Sequence, residues 1–166
     1  MQTKEEILNE RAKKTALKAF DQQHAHTIDV LQFSLYPALF AIKQSYITEV
    51  FTLTDITPLP GTPAFIMGVV NRKGKVICII NLKEVLHVKS VGLTEMNKII
   101  CLKKGNTEFG IVADALLGTM QIDEEDLQNE TLLNKHSLNF IEGVLPCGTI
   151  LLNDNALMDS KALVVA

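Results

Sequence analysis

Thr62-Pro63-Ala64-Phe65-Ile66-Met67-Gly68-Val69-Val70-Asn71-Arg72-Lys73-Gly74-Lys75-Val76-Ile77-Cys78-Ile79-Ile80-Asn81-Leu82 holds two apolar runs, Met67 to Val70 and Val76 to Ile80, on either side of a polar Asn71–Lys75. The pattern predicts a β-hairpin, with Gly74 free to adopt the positive φ a tight turn requires. Arg72, Lys73 and Lys75 make the turn cationic, so the hairpin presents a positive knuckle to solvent. No nucleophile, proton-transfer pair or phosphate-cradling loop accompanies it. The stretch reads as a surface that grips another protein.

Outward from the hairpin the chain keeps the same texture. Apolar or alternating runs recur at Ile28–Leu35, Leu39–Ile42, Ile99–Leu102, Phe109–Ala113, Thr119–Ile122, Leu138–Leu145 and Thr149–Leu152, separated by Gly and polar punctuation. Counted with the hairpin they give about ten short strands, the pattern of small barrels or sandwiches. Val76–Ile80 and Ile99–Leu102 are apolar on both faces, as expected of strands wedged between two cores. Short helical pieces are expected at Gln44–Val50, at Leu82–Leu86 and after Asn153. Gly68-Val69 and Gly143-Val144 each precede a hairpin and then a Leu-containing helical piece, a weak internal echo of a duplicated β unit.

The N-terminal segment differs. Thr3 with Glu6 forms a capping box, and Leu8, Ala12, Ala16 and Phe20 repeat at helical spacing, which predicts a helix over Lys4–Phe20. Asp21–His26 reads as a linker. The expected organisation is therefore a helix and linker over 1–26, a β domain of two small barrels over 27–158, and a tail over 159–166.

Composition narrows the function. The 166 residues suffice for one compact domain or two very small ones, at 47% hydrophobic and a net charge of −3, with no basic excess for a nucleic-acid backbone. No apolar run approaches the roughly 18 residues that span a bilayer. Glu5 and Glu6 stand where a secretory signal needs an apolar stretch. Cys78, Cys101 and Cys147 lie in or beside apolar runs and read as reduced, buried thiols of a cytosolic protein. His24-x-His26 lacks a third metal ligand nearby. Asp123–Asp126 lacks the oxygen-ligand spacing of a calcium loop and reads as a charged turn, and Asn134–Ser137 reads as a polar loop. Asp114, the one carboxylate inside an apolar stretch, is expected to close its strand by accepting from backbone donors.

In four blocks the chain resembles the CheW-domain adaptors, which link bacterial chemoreceptors to the histidine kinase CheA. Phe33-Ser34-Leu35 through Ile42 with Ile47-Thr48-Glu49-Val50 is similar to the family's opening strands and short helix. The Thr62–Val69 block with Asn71-Arg72-Lys73-Gly74 is similar to its most recognisable motif. Phe109-Gly110-Ile111-Val112-Ala113-Asp114 and Ile141-Glu142-Gly143-Val144 with Ile150–Leu152 are similar to its central strand and last hairpin. Together the blocks run from about Ile28 to Met158.

The resemblance implies a mainly β chain of two intertwined SH3-like β-barrels with a hydrophobic seam, a few short helices and an N-terminal helical extension. It implies a non-catalytic scaffold without cofactor or metal. One partner would be the cytoplasmic helical hairpin tip of a chemoreceptor, the other the regulatory domain of a CheA-type kinase. The protein would be cytoplasmic and recruited to receptor arrays, touching the membrane only through them. Carried over by position, Ile47, Glu49 and Val50 on a receptor-facing helix, with Gly68, Lys73 and Ile99, would contact the receptor. Asn71, Arg72, Lys75 and Lys83 would contact the kinase.

The sequence departs from the family text Asn-Leu-Arg-Gly, Pro, Asp-Leu-Arg: Arg72 replaces the Leu, Lys73 the Arg, Cys78 the Pro, Asn81 the Asp and Lys83 the second Arg. Lys forfeits the bidentate geometry of Arg, and Arg72 next door offers a guanidinium from a shifted position. Such drift also suits an adaptor of a surface-motility, pilus or developmental CheA-type pathway. A β-barrel small-molecule binding module is the remaining class, and it would require a pocket of convergent polar groups that the runs do not offer.

Overall fold

The computed structural model describes residues 3–24, 27–89, 96–128 and 138–160. After helix α1 (Lys4–His24) come strands β1 (Thr27–Leu35), β2 (Ala38–Lys43), β3 (Ile47–Thr52), β4 (Ile66–Arg72) and β5 (Lys75–Ile80), then the short helix α2 (Leu82–Val85). Five more strands, β6 (Lys98–Lys104), β7 (Thr107–Ala113), β8 (Ala115–Asp123), β9 (Ile141–Val144) and β10 (Ile150–Leu152), lead to α3 (Asp154–Asp159). The strands form two five-stranded sheets, ordered β8-β1-β2-β10-β9 and β3-β6-β7-β5-β4.

The two sheet orders are the same order twice. Strands β1 to β5 followed by α2 correspond one for one to β6 to β10 followed by α3, and in each sheet the first two strands of one half are joined by the last three strands of the other. In each half an antiparallel hairpin carries a parallel neighbour: Leu151 of β10 lies opposite Ala41, and Ile79 of β5 opposite Gly110. Gly68 pairs with Ile79 as Gly143 pairs with Leu151, so the echo in the sequence is the trace of this duplication. Asn81 and Asn153 cap the two short helices through their side chains, each accepting from a helix backbone N–H. The exchanged strands make the halves inseparable.

Each sheet curls and is closed by a single two-bond bridge. Thr57, beyond β3, exchanges 2.9 Å hydrogen bonds with Val69 of β4, and Gln128, beyond β8, does the same with Val144 of β9. Three apolar cores result. Phe51, Val70, Ile77, Ile79, Ile99, Cys101 and Val112 fill one barrel. Val30, Ala41, Ile122, Leu145 and Leu151 fill the other. Leu31, Phe33, Phe40 and Ile42 of one sheet meet Ile80, Ile100, Leu102 and Ile111 of the other in a seam that α2 and α3 cover with Leu82, Leu86, Leu157 and Met158. The doubly apolar runs follow directly: Ile99 and Cys101 point into a barrel while Ile100 and Leu102 point into the seam. At about 1.5–3 kcal/mol for each fully buried aliphatic side chain, the seam is the largest apolar contribution.

Two boundaries differ from expectation. Helix α1 continues through Asp21–His24, since no Gly or Pro follows Phe20 to stop it. Residues 44–50 are not one helix: a single 3-10 turn, Gln44–Tyr46, gives way to β3. Ile47 and Val50 are β-branched and pair with β6, with β-branched Thr48 at the bulge between Ile47 and Glu49, and the sheet outweighs the weak helical pattern. At the start of α1 the Thr3 N–H donates to the Glu6 carboxylate at 3.1 Å, as the capping box requires. His26 and Asn134–Ser137 lie outside the described residues.

Candidate functional site

The exchanged strands β3 and β8 bring Val50 and Thr119, equivalent positions of the two halves, to one groove. It measures about 280 Å³ and is lined by Leu31, Gln44, Ile47, Val50 and Thr119. Ile47 is partly buried against the seam, while Val50 is exposed. The lining is mostly apolar and has no pair of groups placed for proton transfer. Its chemistry is that of contact.

The cationic knuckle stands at the other face of β3. Lys73 and Gly74 form a two-residue turn with φ of 52° and 79°, the pairing of positive values that a type I′ turn demands. Asn71 Oδ1 closes it by accepting from the Gly74 N–H at 3.1 Å. Arg72 reaches across the closing edge of its barrel to Glu49, donating to Oε1 from Nη2 at 2.8 Å and from Nε at 3.1 Å. Its guanidinium carbon lies 4.6 Å from the centre of the Phe51 ring. Lys73 Nζ stands farther off, 3.4 Å from the same Glu49 oxygen, with its side chain 77% exposed. The Arg72 hydrogen bonds, and the Lys73 charge behind them, hold the Glu49 carboxyl below the usual carboxylate range. Lys75 pairs with Glu108 on β7.

The structure thus brings Glu49, Arg72 and Lys73 together, with Ile47 and Val50 on the adjoining groove. Other positions fall elsewhere. Ile99 is 0% exposed inside a barrel, so its side chain has no surface to offer. Gly68 is buried at the closing bridge: a Cβ there would lie 2.2 Å from the Thr57 carbonyl oxygen. Lys83 is also buried, its ammonium 2.8 Å from Asp114, and a direct surface contact through its charge is corrected accordingly. Asp114 accepts from the Tyr36 N–H at 2.8 Å, the backbone role expected of it, and from Lys83 and Asn97 besides. Asn81, at the family's Asp position, caps α2 by accepting from the Lys83 backbone N–H at 3.1 Å, while the Lys83 ammonium goes to Asp114. Phe51, Glu108 and Thr119 escaped the sequence reading. Phe51 alone carried a signal, its two-residue spacing from Glu49 on a strand.

Two further clusters set local character. Lys43 of β2 pairs with Glu142 at 3.0 Å and stands 4.0 Å from Asp154, whose side chain is 1% exposed and whose two side-chain oxygens find no hydrogen-bond partner among the described residues. Burial pushes the Asp154 carboxyl up to about 6 against the opposing pull of Lys43. Among the thiols, Cys101 is buried and pushed up to about 11, chiefly by desolvation. Cys147, expected buried, is exposed at the tip of the β9–β10 hairpin and hydrogen-bonds the Thr149 hydroxyl.

Among the described residues no helix is long and apolar enough to cross a membrane. The CheW-like domain model matches residues 29–162. The chain is 31% identical over 107 residues to chemotaxis protein CheW of Thermotoga maritima, covering 64% of this chain and 70% of that one. It is 26% identical to chemotaxis protein CheW of Treponema pallidum over 81% of this chain and 84% of that one. The fold matches the crystal structure of the scaffolding protein TtCheW from Thermoanaerobacter tengcongensis with a TM-score of 0.72 at 25% identity, over 81% of this chain and 90% of that one.

Proposed function

The chain belongs to the CheW-like domain family, and we propose that it is a non-catalytic chemotaxis adaptor coupling methyl-accepting chemoreceptors to a CheA-type histidine kinase. The observation that carries the reading is the apolar groove where the two exchanged strands meet, with Ile47 and Val50 in its lining. A groove of that character suits a helical hairpin laid along it, as apolar helix faces settle into grooves elsewhere. Ile47, Val50 and Lys73 form the receptor face of this proposal, while Glu49 and Gly68 support it from within. The hairpin face around Asn71, Arg72 and Lys75 is assigned to the regulatory domain of the kinase. Holding both partners in one geometry lets a receptor's conformational bias shift the kinase between active and inactive states. The adaptor works in the cytoplasm, gathered at receptor arrays.

Titration of the full chain with a soluble receptor hairpin fragment tests the reading. Val50→Asp, a change at an exposed position, should weaken binding at least about tenfold with the fold intact, because it places a charge in an apolar contact. Failure of the unaltered chain to bind either the receptor fragment or a CheA regulatory domain would overturn it. A second reading, an adaptor of a non-chemotaxis CheA-type pathway, rests on the Arg72-Lys73 departure and on 30% identity over 86 residues to Protein FrzA of Myxococcus xanthus.

A further inference from the structure

Three cations of the knuckle, Arg72, Lys73 and Lys75, face two carboxylates, Glu49 and Glu108. Among the described residues one positive charge is left over, and the geometry says which. Lys75 is committed to Glu108 on the neighbouring strand. Arg72 holds Glu49 through two nitrogens and is flattened over Phe51, so three separate contacts fix its guanidinium. Lys73 is the outer member, one 3.4 Å approach from a mostly exposed side chain at the tip of the turn. An exposed monodentate lysine pair of that kind contributes little, whereas the planar fork and stacked face of Arg compete strongly for the same oxygen.

We infer that Arg72 is a positioning residue: it occupies Glu49 from the position where the family text carries Leu, and so leaves the Lys73 ammonium as the charge that a partner's acidic group meets. The inference rests on the adaptor reading only for the identity of that partner. The second barrel supports the assignment. The position equivalent to Glu49 there is Gly118, opposite Gln32 as Glu49 is opposite Cys101, and the β9–β10 turn at Pro146–Gly148 carries no cation. The charged device therefore belongs to one barrel and is not a requirement of the fold. Glu49, expected to contact the receptor, is instead already paired within the chain.

Two readouts test this on the full chain. The first needs no partner: amine-labelling rates read by mass spectrometry. Lys73 should react at the rate of a free surface lysine, and in Arg72→Leu, where Glu49 becomes available to it, several-fold more slowly. Arg72→Lys, whose ammonium lacks the fork and the stacked face, should restore the rate only in part. Unchanged Lys73 reactivity in Arg72→Leu, or a rate already suppressed in the unaltered chain, would overturn the inference. The second is binding of the receptor hairpin fragment at low and high salt. Lys73→Gln and Arg72→Leu should each cost about three- to tenfold and flatten the salt dependence, and the double variant should cost no more than either alone. Additive losses would mean that Arg72 itself meets the partner and would overturn the positioning role. Should the fragment bind none of these chains, the adaptor reading fails while the labelling result still decides the role of Arg72.

Discussion

Lys83 Nζ lies 2.8 Å from Asp114, and through that one carboxylate the capping helix of one barrel is tied to the hairpin turn of the other. The Tyr36 N–H donates to the same Asp114 oxygen, Oδ2, the Asp114 N–H donates to the Ser34 carbonyl, and the Asn97 amide donates to Oδ1 from the β6 side. Three chain segments besides its own converge on a single acid.

Lys83→Met should therefore destabilise the whole domain by about 2 kcal/mol, less than a fully buried pair because Asp114 is a quarter exposed. Chemical denaturation with two probes, one in each barrel, checks it. A single shared transition at lower denaturant is the expected outcome, since the exchanged strands forbid either half from unfolding alone.

Gly68→Ala should be far more damaging than the same change at Gly143. At Gly68 the new methyl would sit 2.2 Å from a carbonyl oxygen of the closing bridge, in a backbone with φ of +141°. The equivalent Gly143 offers 3.1 Å to a side-chain carbon. A loss of at least about 3 kcal/mol is expected at Gly68, and at most about half that at Gly143. Thermal unfolding of the two variants side by side gives the comparison.

Asp154 predicts a pH dependence of unusual sign. Its carboxyl titrates near 6 in the fold against an ordinary 3.8, so the folded chain binds the proton more tightly than the unfolded one. This group's contribution is fully present below about pH 4 and is lost as pH rises through 6. The charged groups facing it are Lys43 of β2 and Glu142 of β9, and Glu124 of the turn after β8 acts in turn on Lys43. Asp154→Asn should stabilise the protein by on the order of 2 kcal/mol at pH 7.5 and by little at pH 4. Equal effects at both pH values would contradict the assignment.

Lys73→Asn separates the turn from the contact. Asn accepts the left-handed backbone at position 73 more readily than Lys, so stability should hold or rise by about 0.5 kcal/mol. Receptor affinity should still fall several-fold. Melting curves beside a binding titration distinguish the two.

Much of this architecture was legible in the residues. The hairpin, its glycine turn, the doubly apolar strands and both Asn-capped helices follow from alternation and punctuation, because each is set by neighbours close in sequence. What escaped depended on pairs distant in sequence. Residues 47–50 carry enough mixed pattern to suggest a helix until β6, some fifty residues on, claims them as a strand. Lys83 looks like a surface cation until Asp114 is placed beside it. The Asp154 cluster is hidden for another reason: its equivalents across the internal repeat, Leu82 for Asp154 and Val112 for Lys43, are apolar, so the duplication itself suggests a dry site there.

Simultaneous occupancy tests the central claim most directly. The full chain, a receptor hairpin fragment and a CheA regulatory domain are mixed and resolved by sedimentation, with each binary affinity measured by calorimetry. The account predicts micromolar-range binding of each partner, roughly 8 kcal/mol, and one ternary complex from which Val50→Asp releases the receptor fragment alone. Mutually exclusive binding, or a Val50→Asp chain that retains the receptor, would contradict it.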